Sequence, residues 1–175
     1  MREIEFDLYG PLVYKKRYTP WKNRKATIGK TQRLDGNLIQ FAASKIGFKN
    51  YIYDSEWPDY IEDYNGPKTK TGTIRLQQVF FDHVLFTDSH VIIFESDDKS
   101  HYDQNYCIQN NFNYEDIIKR DKIKDVWARR NDIKLVRLKE YKKDDSGQFV
   151  PVSREEKKRI IFKVLRDVKT IENSI

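Results

Sequence analysis

Residues 78–104 read QVFFDHVLFTDSHVIIFESDDKSHYDQ, and this stretch decides the architecture. Ile74, Leu76, Val79 and Phe81 predict a strand over Thr73 to Leu85, and Thr87-Asp88-Ser89 reads as a turn. Val91 to Phe94 is a continuous apolar run, which suits a second strand covered on both faces. The two form a hairpin with Asp82 on one strand, Glu95 at the exit of the other, and Asp97 and His101 just beyond. Because side chains alternate along a strand, Glu95 and Asp97 point the same way, and Asp82 on the paired strand can meet them.

Toward the C-terminus, residues 114–138 read YEDIIKRDKIKDVWARRNDIKLVRL. Ile117, Ile118, Val126 and Trp127 fit a helix from Tyr114 to Arg130, and Ile133 to Leu138 a strand. Asp121 and Lys124, three apart, share one helix face. A turn at Lys143 to Gly147 follows, and Ser153 with Glu156 makes a capping box before a last helix carrying Ile160, Ile161, Val164, Leu165 and Val168.

Toward the N-terminus, Leu38, Ile39, Ala42 and Ile46 predict a helix from Leu34, with Asp35 as N-cap and Gly47 as its stop. Tyr51 to Tyr53 suggests a strand. Asp54, Glu56, Pro58, Asp59, Glu62 and Asp63 then read as a solvated acidic loop, with Glu56 and Asp59 held in reserve as a second metal site, and residues 65–72 as a further loop. Ile4, Phe6 and Leu8 suggest a short edge strand. The order helix, three strands, helix, strand, helix predicts an α/β protein: one domain over 1–175, with a mixed central sheet flanked by helices and a core at about 73–140.

Composition narrows the setting. Of 175 residues, 14% are aromatic, which argues against disorder, and a net charge of +6 favours a polyanionic partner. Between Pro11 and Leu34 stand Lys15, Lys16, Arg17, Lys22, Arg24, Lys25, Lys30 and Arg33 with no acidic residue among them, interleaved with Tyr14, Tyr18 and Trp21. Such a segment tracks phosphates while its rings stack on bases; it equally fits a solvated arm. The single cysteine, Cys107, excludes an intrachain disulfide and fits a reducing cytoplasmic setting. No apolar run reaches the length of a membrane span, so the expectation is a protein without membrane contact.

The acidic residues point to phosphodiester chemistry. One or two Mg²⁺ ions, with Mn²⁺ as a substitute, meet the needs of such a reaction, and Mg²⁺ prefers oxygen ligands from a few carboxylates with water. Asp82, Glu95 and Asp97 supply those oxygens. His101 is placed to relay a proton, Lys124 or Lys99 to bind the phosphate, and Asp121 to complete the metal shell or orient His101. His83 and His90 read as structural or surface residues. An exposed acidic turn and a helix-surface ion pair are the plainer readings of these residues taken singly.

At these residues the chain resembles a family. Val91 to Tyr102 is similar to the E-x-D-G-x-x-H segment of the very-short-patch-repair (Vsr) endonucleases and related phage and homing nucleases, within the PD-(D/E)xK restriction-endonuclease-like superfamily. Phe81-Asp82 resembles the strand aspartate of that family, Arg120 to Lys124 its R-D-x-x-K helix, and Ile133 to Leu138 the strand after it. The resemblance spans about a third of the chain, and Asp98 stands where the family usually has glycine. The lysine usual after the strand acid is absent, and His101 takes its place as in the Vsr branch. One cysteine is too few for that branch's structural zinc site. The resemblance implies a restriction-endonuclease-like core and a Mg²⁺-dependent DNA endonuclease, with Asp82 and Glu95 on the metal, Asp97 assisting, His101 as general base and Asp121 in support. A nuclease fold that binds DNA without cutting it, or an RNase using the same residues, are the rival expectations.

Overall fold

Gly47 ends the first helix as its position predicts: at φ 88° it takes the left-handed conformation, and the amides of Gly47 and Phe48 both reach back to the Ala43 carbonyl. In this computed structural model, residues 30–174 are described except for residue 50, with backbone alone at residues 30 and 56–60. Helix α1 (Lys30–Ile46) leads to strands β1 (Ile52–Glu62), β2 (Leu76–Phe86) and β3 (Val91–Asp97). A 3₁₀ turn (Lys99–His101), α2 (Gln104–Gln109), α3 (Tyr114–Arg130), β4 (Lys134–Lys139), the β5–β6 pair (Tyr141–Lys143, Phe149–Pro151) and α4 (Arg154–Glu172) complete the order.

The main sheet runs β1-β2-β3-β4. β1 to β3 form an antiparallel meander, in which the predicted hairpin is β2–β3, and β4 lies parallel to β3 after the α3 crossover. β3 is therefore an inner strand, with apolar clusters on both sides. On one side Val91 and Ile93 pack with Phe81, Val84 and Ile123, Trp127 and Ala128 of α3, and the Phe81 and Trp127 rings stack at 5.5 Å. On the other, Ile92 and Phe94 pack with Leu38, Ile39 and Ala42 of α1 and Ile161 and Leu165 of α4. α1 and α4 run in the same direction, since Asp35 meets Lys157, Phe41 meets Phe162 and Phe48 lies under Lys169.

Capping explains the sharp ends of α3. Asn113 accepts from the Asp116 amide at 3.3 Å, with Glu115 and Asp116 in the first turn and Arg129 and Arg130 in the last, each charge opposing the helix dipole.

Several expectations are corrected. α1 starts at Lys30, so Asp35 is a buried mid-helix residue and not an N-cap. The acidic stretch after Tyr53 is not a loop but most of β1, an edge strand where Pro58 is tolerated. β2 begins at Leu76 rather than Thr73. The polar stretch after Tyr102 contains α2, capped by Asp103, and the turn near Gly147 joins a short hairpin. Ser153 caps α4 as expected, while the Glu156 carboxylate goes to Lys142 at 2.7 Å. The predicted strand at residues 1–9 and Lys15, Lys16, Arg17, Trp21, Lys22, Arg24 and Lys25 lie outside the described residues, as do the side chains of Lys30, Glu56 and Asp59.

Candidate functional site

The alternation of β3 sorts its polar end into two faces. Glu95 and Asp97 lie on the side of Val91 and Ile93, toward α3, and Ser96 lies on the side of Ile92 and Phe94, toward α1 and α4. β2 changes face just here: Val79 and Phe81 join the α3-side cluster at odd positions, Val84 and Phe86 at even ones. Asp82 stands at that change. Its Oδ2 accepts from the Ser96 amide at 2.7 Å and its Oδ1 from Gln32 Nε2 of α1 at 3.3 Å.

Glu95 is 2% exposed. Its Oε2 accepts from Lys124 Nζ at 2.6 Å, and Oε1 is buried with no hydrogen-bond partner among the described residues. Burial pushes the Glu95 carboxyl up to about 7 against the pull of Lys124, and the Asp82 charge pushes the same way. Lys124, also buried, projects from α3 with its ammonium 5.3 Å from the centre of the Phe81 ring.

Asp97 faces a second group. Arg137, opposite Glu95 in the parallel β3–β4 register, donates from Nη1 to Asp97 at 3.0 Å and to Asp121 at 3.1 Å, and from Nε and Nη2 to Asp125 at 3.2 and 3.0 Å. His101 Nδ1 lies 2.8 Å from Asp121 and 3.7 Å from Asp97. Burial alone would lower the His101 pKa, but the Asp121 hydrogen bond and the charges of Asp97 and Asp121 hold it above the ordinary histidine value. Burial likewise works against the Asp121 carboxylate, and His101 and Arg137 outweigh it, so Asp121 stays below the usual range. Burial wins at Asp97, whose pKa is raised although Arg137 opposes it. The 3₁₀ turn that delivers His101 is pinned by Asp98, whose Oδ1 accepts from the Ser100 amide at 2.8 Å.

The fold thus gathers all six predicted site residues at the end of β3, in two sets: Asp82, Glu95 and Lys124, and Asp97, His101 and Asp121. Lys99 lies apart from both, paired with Asp103 and set over the Tyr106 and Phe149 rings. Arg33 is exposed on α1. Sequence reasoning missed Arg137, Asp125, Ser96 and Gln32 as members. For Arg137 a signal existed, a lone arginine in the apolar run of β4; Gln32 and Ser96 carry none.

Among the described residues no set of three or more His, Cys, Asp or Glu side chains is arranged to hold a metal ion. Mg²⁺ commonly takes only one or two carboxylates and keeps water in its other positions; the unpartnered Glu95 Oε1, which feels the Asp82 charge, offers one such oxygen in a buried position. Asp97 is engaged by Arg137 instead.

In comparisons with family models, with curated proteins and with solved structures, nothing matches this chain significantly.

Proposed function

We propose that the chain is a metal-dependent endonuclease that hydrolyses DNA phosphodiester bonds on a restriction-endonuclease-like core. The observation that carries this reading is the buried, unpartnered Oε1 of Glu95, within the influence of Asp82, on the strand whose Asp97 lies near the His101–Asp121 pair. An anionic oxygen buried without a partner is costly, and a cation bound there removes the cost. Glu95 and Asp82 would hold Mg²⁺ or Mn²⁺, which supplies charge neutralisation at the phosphate and a more acidic bound water. Lys124 pulls the buried Glu95 carboxyl toward its ionised form, against the burial that raises its pKa. His101 donates from Nδ1 to Asp121, which leaves Nε2 to take up a proton, and its raised pKa makes it a ready acceptor.

The DNA partner has support among the described residues. Arg33 and Lys45 on α1 and Arg159, Lys163 and Arg166 on α4 are exposed, and none is ion-paired among the described residues. Phe41, 48% exposed, and Phe162 sit between them, under Lys45 and Arg166. Cations around accessible rings suit a nucleic-acid backbone. Among the described residues no helix is long and apolar enough to cross a membrane.

The test is incubation of supercoiled plasmid DNA, with folded RNA alongside, in Mg²⁺ and in chelator. Nicked or linear plasmid should form only with Mg²⁺, and Glu95→Gln should slow this by about a hundredfold or more. Intact plasmid under all conditions refutes the assignment, and cutting of RNA alone transfers the same site to an RNase. A second reading, DNA binding without cleavage, draws on Lys124 and Arg137, fixed cations already matched to Glu95 and Asp97. It is the reading left if the plasmid is bound but not cut.

A further inference from the structure

Behind the site, on the α1–α4 side of the sheet, two charges are buried together. Asp35 is 3% and Lys157 6% exposed, and Lys157 Nζ lies 3.0 and 2.8 Å from the two Asp35 oxygens. A buried ion pair is seldom a net source of stability, because desolvation offsets its attraction. This pair does more than match charges. Asp35 Oδ2 accepts the Ser96 hydroxyl at 2.9 Å, Ser96 Oγ lies 3.1 Å from His83 Nε2, and His83 Nδ1 lies 2.8 Å from the Tyr53 hydroxyl.

The donors in this chain have one consistent order. Since the Ser96 proton goes to a carboxylate, Ser96 Oγ accepts from His83 Nε2–H, and His83 Nδ1 accepts from Tyr53. Gly36 lets the chain lie this close to α1, because a Cβ there would collide with the Tyr53 hydroxyl oxygen. At Ser96, in its middle, the network meets the site, for the Ser96 main-chain amide donates to Asp82 Oδ2. Gln32, one turn before Asp35 on α1, donates to the other Asp82 oxygen. α1 therefore acts on Asp82 twice, directly through Gln32 and through Asp35 and Ser96.

We propose that Asp35, Lys157 and Ser96 are positioning residues for Asp82: the buried pair fixes the Ser96 hydroxyl, and with it the main-chain amide that sets the Asp82 carboxylate. The inference rests on the reading of Asp82 and Glu95 as the metal-holding pair.

The experiment uses the full chain, Mn²⁺ titration by calorimetry and thermal melting. In Asp35→Leu/Lys157→Met the pair is replaced by apolar groups of similar size, so the fold is kept. In Ser96→Ala the main-chain amide remains and the hydroxyl that locates it is lost. Both variants should bind Mn²⁺ about ten- to a hundredfold more weakly, the range for losing a group that orients a ligand, and the double variant should melt no lower than wild type. Unchanged Mn²⁺ affinity in both variants overturns the inference and leaves the metal site standing. A loss of affinity that follows a fall in melting temperature also overturns it, since the role is then structural. No Mn²⁺ uptake by wild type overturns the metal site and this inference together.

Discussion

At the scale of single residues, the contest at Glu95 is between burial and one lysine. Burial holds a proton on the carboxyl up to about pH 7, and Lys124 at 2.6 Å works to release it. Replacing Lys124 by Met leaves a buried carboxylate without a counter-charge, which costs about 3–5 kcal/mol where Glu95 is ionised. In urea unfolding the cost should be larger at about pH 8, where wild-type Glu95 is ionised, than at about pH 5, where it keeps its proton. A cost independent of pH would assign the Lys124 contribution to packing over Phe81 and not to charge. Arg137 differs, because it serves three carboxylates at once and its loss leaves Asp97, Asp121 and Asp125 facing one another.

At the scale of elements, the legible pieces are those with strong local signals. α3 runs from Tyr114 to Arg130 as its periodicity indicates, and β3 follows from its unbroken apolar run. β1 was hidden because an edge strand accepts carboxylates and a proline, the composition also typical of loops. α2, six residues long, is too short for a period to show. The 3₁₀ turn is held by its own cap, for the Asp98 side chain closes it on Ser100. Asp98→Gly should therefore loosen His101: unfolding free energy should change by no more than about 1 kcal/mol, while the plasmid cleavage proposed for this site falls about tenfold or more. Equal cleavage in this variant would show that the turn holds its shape without the cap.

At the scale of the whole molecule, two buried groups titrate in opposite senses. Burial and the Lys157 charge depress His83 to about 4, so the unfolded chain takes up this proton first as pH falls, and stability present above about 6.5 is lost toward pH 4. Glu95 is raised to about 7, so the folded chain keeps its proton longer, and stability present below about 4.5 is lost as pH rises toward 7. Between these limits the two slopes oppose each other. Glu95→Gln removes one of them, so the stability of this variant relative to wild type should climb as pH rises from about 4.5 to about 7 in denaturant titrations. A constant difference would place the Glu95 carboxyl at its ordinary pKa.

The sequence by itself determined the hairpin, the α3 crossover helix and the acidic residues that end β3, because apolar period, caps and turns act within a few residues. Only the tertiary structure decided how those acids are used. The partners that separate Glu95 from Asp97 come from Lys124 and Arg137, 29 and 40 residues away, and the pair behind Asp82 joins residues 122 apart. Contacts at such separations are set by which faces of α1, α3 and α4 cover the sheet, and that is settled by burying the whole core at once.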